Sequence, residues 1–243
     1  MRIILTIICL LFPLVTNATA IPAGFVYLND IDNTIRSNLR YASNENFIGR
    51  PIAAYNKNVV ILTKPAAEAL KKAQAKLMKD GFSLLIYDAY RPQDAVNDFI
   101  SWDKDLSDQK MKDWFYPRVD KKDLFNEGYI AEKSSHTRGS TVDLTIIKVN
   151  KNLKSITPTP RKTLNGEILF LDDNTYDMGS SFDIFDKASN YATLDVTNEY
   201  KSNRNYLKDI MTSVGFMPYP LEWWHFTLKD EPYPDTYFNF PIE

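Results

Sequence analysis

The segment "PAAEALKKAQAKLMKDGFSLLIYDAY", residues 65–90, constrains the fold more than any other stretch of the chain. Ala66, Leu70, Ala73 and Leu77 recur at helical spacing along its first part, and Gly81 supplies the stop. "FSLLIYDAY" follows with almost no interruption and reads as a buried strand that ends before Pro92. An amphipathic helix that passes into a buried strand through one glycine calls for helices packed on a sheet. Further along, "QDAVNDFISW" predicts a second helix, and residues 103–125 predict short helices and loops over the core, with Trp114, Phe115 and Tyr116 among many charges. "STVDLTIIKV" predicts another strand. Residues 149–166 are polar and carry Pro158 and Pro160, so they predict a loop or hairpin excursion, with "EILFL" as a returning strand. "RNYLKDIMTSVGF" predicts a helix ended by Gly215, and "WWHFTL", after Pro218 and Pro220, a final strand. Helices come early and late, with strands between them and at the end. That order predicts an α+β fold, a single domain with a mostly antiparallel sheet and flanking helices.

Nothing in the composition opposes this. The 243 residues suffice for one domain or two small ones, and neither a linker, an internal repeat nor a low-complexity tract divides them. A hydrophobic content of 44% and a charged content of 25% are ordinary for a globular protein. The net charge of −2 comes from both signs spread along the chain, which excludes the basic face of a nucleic-acid binder. The N-terminal segment "MRIILTIICLLFPLVTNATA" differs from the rest: Arg2, an apolar run from Ile3 to Val15, then Ala18-Thr19-Ala20. This is the pattern of a signal peptide over residues 1–20, cleaved after Ala20, with a mature domain at 21–243. The apolar run of about 13 residues is short of the roughly 20 that span a bilayer, so the alternative of an uncleaved anchor fits less well. The expected location is therefore across the inner membrane, in the periplasm or outside the cell, with no stable membrane insertion after cleavage. Cys9, the chain's one cysteine, lies inside that run, so thiol chemistry and thiolate metal ligands are excluded from the mature protein.

The two histidines are His136, in "SSHTRGSTVDLTI", and His225, in "LEWWHFTL". His136 precedes a strand in a turn loosened by Gly139, and Asp143 lies within that strand. His225 between Trp224 and Phe226, taken alone, reads more readily as a core histidine. Asp143 is harder to place as a structural residue, because a buried carboxylate needs a cation, a proton or good hydrogen bonds. Two imidazoles and one carboxylate would make a catalytic zinc site with one open position. Glu222 lies three residues before His225, and residues three apart in a regular strand face opposite sides. For both to serve one ion the strand must be irregular across Glu222, and Pro218 and Pro220 make an irregular entry plausible. Glu222 would then act as general base. Arg91, ending the buried strand, is either a structural partner of Asp88 or a guanidinium aimed at a developing oxyanion and held by Asp88.

These residues resemble a known family. Ser134-x-His136-x-x-Gly139-x-x-x-Asp143 together with Glu222-x-Trp224-His225 is similar to the zinc peptidases that include D,D-carboxypeptidases and D-alanyl-D-alanine dipeptidases. "YASNENFIGRPI", "LLIYDAYRPQDAV", "SSHTRGSTVDLT", "MGSSFDIFD" and "EWWHF" resemble segments of the dipeptidases, in the same order, from Leu28 to Leu228. The resemblance implies one zinc ion per chain on His136, Asp143 and His225, Glu222 as base, and Arg91 stabilising the tetrahedral intermediate. It implies Ser134 and Asp88 on the substrate side, with Ser134 near the substrate carboxylate. Asp183, which without the family reads as a cap or turn residue, would meet the free amine of a small dipeptide through a charge-assisted bond. The long excursion from Val149 to Thr175 is expected over the site, where it would alter which dipeptides enter. Two other readings stay open: a D,D-carboxypeptidase or endopeptidase acting on wall peptides, and a zinc-bearing wall-binding module without turnover. The first would act on intact wall peptides and not on free dipeptide. The second would lack the base or the arginine, and both are present.

Overall fold

The computed structural model describes residues 21–243, so the predicted signal peptide lies outside the described residues. The elements are β1 (Phe25–Tyr27), α1 (Leu28–Ile31), β2 (Arg36–Ser37), β3 (Ile61–Thr63), α2 (Lys64–Lys79), β4 (Phe82–Asp88), α3 (Gln93–Lys104), α4 (Lys112–Phe115), β5 (Thr141–Lys148), β6 (Thr157–Thr163), β7 (Gly166–Asp172), α5 (Asn198–Thr212), β8 (Phe216–Tyr219) and β9 (Glu222–Leu228). The central sheet has the order β2-β4-β5-β9-β8. Only the short β2–β4 pairing is parallel; the other three are antiparallel. β1 with β3 and β6 with β7 form two small antiparallel pairs. The fold is thus α+β with a mostly antiparallel sheet and flanking helices. Among the described residues no helix is long and apolar enough to cross a membrane.

The helix and strand that open the chain's core pack as their sequence requires. Ala66, Leu70, Ala73 and Leu77 are fully buried, and α2 lies on β4. Pro65 sits in the first turn of α2, where its missing N–H costs nothing. Gly81 has a φ of +79°, the left-handed conformation that lets the chain reverse into β4. β5 is the middle strand, buried at every position from Thr141 to Ile147, because both its faces are covered. That explains an almost unbroken apolar run rather than an alternating one.

Two boundaries differ from expectation. α5 begins at Asn198, six residues before Arg204, because its first turns are solvent-facing and carry no apolar period. It ends at Thr212, ahead of Gly215. The polar excursion resolves into the β6–β7 hairpin, and its first strand is exposed along most of its length.

Candidate metal centre and active site

Sheet register brings the central residues into line. Asp143 on β5 is paired with Asp88 on one side and with His225 on the other. Residues opposite one another in adjacent strands share a face, so Asp143 and His225 point the same way. His136 arrives from the 3-10 turn at Ser135–Arg138 that leads into β5. Gly139 caps that turn with a φ of +84°, and a Cβ there would strike the ring of Phe25. Glycine is required twice over, once for conformation and once for space.

The required irregularity is present in β9. Pro218 pairs with Phe226 while the next residue, Tyr219, pairs with Glu222, so the ladder slips between them. Trp223 and Trp224 are consequently both buried, against strict alternation. Glu222 and His225 end on the same side, with Glu222 Oε2 3.3 Å from His225 Nδ1.

The tautomers follow from the partners. His136 Nδ1 lies 2.8 Å from the carbonyl oxygen of Ala89, which can only accept, so Nδ1 carries the proton and Nε2 presents a lone pair. That nitrogen faces Asp143 Oδ2 at 3.3 Å and His225 Nδ1 at 3.3 Å. His225 Nε2 is 3.2 Å from Ser135 Oγ, and in the tautomer where that hydroxyl accepts the ring N–H, Nδ1 presents a second lone pair. Asp143 Oδ1 is buried and accepts no hydrogen bond; His225 Nδ1 lies 3.2 Å away, out of hydrogen-bonding geometry. One ligand atom from each of the three residues lies within 4.8 Å of the others. Lone pairs gathered around an orphaned carboxylate oxygen repel one another unless a cation stands between them, so these residues fit a divalent metal. The electrostatics agree. Burial would push Asp143 up, but the two histidines hold it well below the usual carboxylate range. Burial likewise opposes charge on His225, yet its contacts with Asp143 and Glu222 carry it up to about 9. The pocket calls for positive charge from a proton or a metal.

The trio forms the floor of a cavity of about 380 Å³, also lined by Arg91, Ser134, Asp183 and Glu222. Such a volume suits a small ligand. The Arg91 guanidinium lies 5.1 Å from the centres of the Tyr41 and Phe99 rings, and its Nη2 is 3.7 Å from Asp143 Oδ2. Burial works against its charge, and Asp88, Tyr41, Tyr55 and Asp143 together outweigh it, Asp88 the most among them. Ser134 Oγ accepts from the His136 amide at 3.3 Å, which caps the metal-bearing turn, and it stands 3.5 Å from Arg91 Nη1. Asp183 is buried with a φ of +65° and accepts from the Tyr41 hydroxyl at 3.0 Å. Burial, then the nearby carboxylates of Asp143 and Glu222, push it well above the ordinary range. It is a poor place for a bare negative charge and a good one for an arriving cation.

Two expectations need correction. Asp88 was placed on the substrate side, but it is fully buried and does not line the cavity. The bulge between Ile86 and Asp88 turns its carboxylate behind Arg91, where Oδ2 accepts from Nε at 2.9 Å and Oδ1 from the Tyr55 hydroxyl. The excursion at 149–175 contributes no residue to the cavity lining. It packs behind the segment that carries Asp183, because Ile168 buries itself against Ile184 and Ala188. Residues given no role in advance also appear: Tyr41, beneath Arg91 and bonded to Asp183, and Ser135, which orients His225. Tyr41 heads the segment "YASNENFIGRPI", and its place there was the one available signal.

The sequence profile described as D-ala-D-ala dipeptidase matches residues 22–156 and 167–243. The chain belongs to that peptidase family. A D-alanyl-D-alanine dipeptidase of Enterococcus faecalis is 38% identical over 219 residues, covering 90% of this chain and 98% of the relative. One from Streptomyces coelicolor is 37% identical over 218 residues with the same coverage. One from Escherichia coli is 30% identical over 190 residues, 78% of this chain and 77% of the relative. Residues 157–166, all of β6, the turn after it and the first residue of β7, fall outside the profile match.

Proposed function

We propose that this protein is a zinc-dependent D-alanyl-D-alanine dipeptidase that works outside the cytoplasm on free dipeptides. The observation that carries the reading is the convergence of His136 Nε2, His225 Nδ1 and the orphaned Asp143 carboxylate on the floor of a cavity that also holds Glu222 and Arg91. Family membership supplies the substrate class. Zinc on His136, Asp143 and His225 would supply Lewis acidity toward the scissile carbonyl and toward water. Two histidines and a carboxylate suit zinc among the divalent ions.

The rest falls to the chain's own groups. Glu222 takes a proton from the attacking water and returns it to the leaving amine. Arg91, held from behind by Asp88 and lying against the adjacent rings of Tyr41 and Phe99, presents a fixed positive charge to the oxygen that gains negative charge during attack. Asp183, supported by Tyr41, meets the free α-ammonium of the substrate, and the arriving cation keeps its carboxylate ionised. A longer peptide has no ammonium at that position, which limits the substrate to a dipeptide. Ser134 stands beside Arg91 and helps place the substrate. The apolar run and small-x-small site at the N-terminus support export. The test is a panel of free dipeptides of defined stereochemistry, assayed with and without added zinc. Zinc-dependent turnover of the D,D forms and little of the L,L forms is expected. Activity on intact wall peptides with none on free dipeptide would reject the assignment.

A further inference from the structure

The segment from Asp177 to Asp186 carries Asp183. α5 holds its interior through Arg204, which donates to the Met178 carbonyl at 2.6 Å and to Ser180 Oγ at 3.1 Å. Trp223 Nε1 donates to the same hydroxyl, the Phe185 amide donates to the Phe115 carbonyl, and the hairpin reaches both ends of the segment. At its start, Arg161 on β6 grips the Asp177 carboxylate with both guanidinium ends, at 2.8 and 2.6 Å. The Arg161 guanidinium lies flat in a slot, 3.7 Å from the centre of the Phe170 ring and 4.9 Å from that of Tyr200. Asp177 Oδ1 in turn accepts from the Gly179 amide at 2.8 Å. In the middle, the Leu171 amide of β7 donates to Ser181 Oγ at 2.7 Å. At its end, Arg118 binds Asp186 through Nε at 2.6 Å and reaches Thr163 Oγ1 of the hairpin through Nη1 at 2.9 Å. Arg118 also bonds Asp195, whose other oxygen accepts from Asn165 in the hairpin turn. Between these anchors Asp183 sits buried in a left-handed conformation, which persists in a residue other than glycine only where the surroundings over-determine it. Neither arginine lines the cavity. Arg161 and Thr163 fall in the ten-residue stretch, 157–166, that the family profile leaves unmatched.

We propose that the β6–β7 hairpin is a positioning element for the amine subsite, with Arg161 and Arg118 clamping the two ends of the Asp183 segment from outside the cavity. This rests on the reading of Asp183 as the group that meets the substrate's α-ammonium. The clamp sets where the Asp183 carboxylate stands relative to the metal trio, and so how strongly this chain distinguishes a substrate with a free amine from one without.

The experiment compares the zinc-loaded wild type with Arg161→Met, Arg118→Met, Arg161→Lys and Asp183→Asn. The readout is the KM for D-Ala-D-Ala set against the inhibition constant of propionyl-D-alanine, the same molecule without its amine. Arg161→Met is expected to raise KM for the dipeptide about tenfold, inside the roughly 10²-fold that a 1 Å misplacement can cost, while binding of the desamino analogue stays within twofold. Arg118→Met should act in the same direction, and Arg161→Lys should restore part of the difference. A purely structural role would move both ligands together. If Asp183→Asn abolishes the discrimination and both methionine variants leave it intact, the clamp is overturned and the amine subsite stands. If Asp183→Asn leaves the discrimination intact, the subsite reading falls and the clamp with it. Arg161 is partly covered but stands on a strand that is otherwise mostly exposed, so its methionine variant is expected to fold, and it decides the matter alone if Arg118→Met does not.

Discussion

Replacing Asp88 by asparagine tests how Arg91 is kept in place. The side chain is fully buried and accepts from Arg91 Nε at 2.9 Å and Nη2 at 2.8 Å. Asparagine keeps the volume and one acceptor for Arg91, and its amide can donate to the Tyr55 oxygen, so the geometry survives while the charge is lost. Removing one partner of a buried pair costs about 3–5 kcal/mol. Asp143, 3.7 Å from Arg91, remains as a second carboxylate, and the Arg91 side chain keeps 12% exposure to the cavity. Both place the expected loss near the lower end, about 3 kcal/mol. For a chain of this size, about 2–4 °C of Tm accompanies each kcal/mol, so the melting temperature of the zinc-loaded protein should fall by roughly 6–12 °C. Turnover should fall as well, by about 10², because a guanidinium without its charged anchor is held less firmly toward a developing oxyanion. Thermal melts and steady-state kinetics on the same zinc-replete preparation give both numbers. An Asp88→Asn protein that melts with the wild type and turns over normally would refute the idea that this carboxylate holds Arg91 for catalysis.

His136→Ala and His225→Ala should each lose the metal together with activity, since two ligands rarely hold a catalytic ion; full zinc occupancy by metal analysis in either variant rejects the ligand set. Glu222→Ala should keep zinc and lose about two to four orders of magnitude in kcat, and near-normal turnover would remove it from the role of base. Arg91→Ala should keep zinc with sharply reduced kcat, whereas a change in KM alone would make it a binding group. Full-length protein expressed in a glycopeptide-susceptible bacterium should leave sensitivity unchanged, while a form starting at Ile21 should deplete cytoplasmic D-Ala-D-Ala; resistance from the full-length form would overturn the proposed export.

The metal trio was legible because its residues are chemically out of place. A carboxylate inside the most apolar strand, and the chain's two histidines in the same two segments, leave few alternatives. The slip in β9 was legible too, since Glu222 and His225 could meet only if the strand broke step, and prolines stood where it would do so. What surrounds the trio was not legible. The acceptor that fixes the His136 tautomer is a backbone carbonyl, at Ala89, and carries no residue signature. That Asp88 holds Arg91 was legible, but that it stays off the substrate side was not, because a bulge, invisible in a pattern of apolar residues, sits at its position. The hairpin's position was beyond reach for a similar reason: its first strand buries little, so no apolar face marked what it packs against.

Strand order also decides when the ion can be acquired. β9 lies between β5 and β8 in the sheet, so His225 reaches Asp143 only after the last long strand has zipped into an interior position. A chain emerging with its N-terminus first presents His136 and Asp143 long before that, but a pair of ligands on unfinished structure holds an ion weakly. A site that uses all three ligands is complete only once β9 has docked beside β5. If the proposed export holds and the chain crosses the membrane unfolded, its metal would be acquired on arrival, in the compartment where β9 docks.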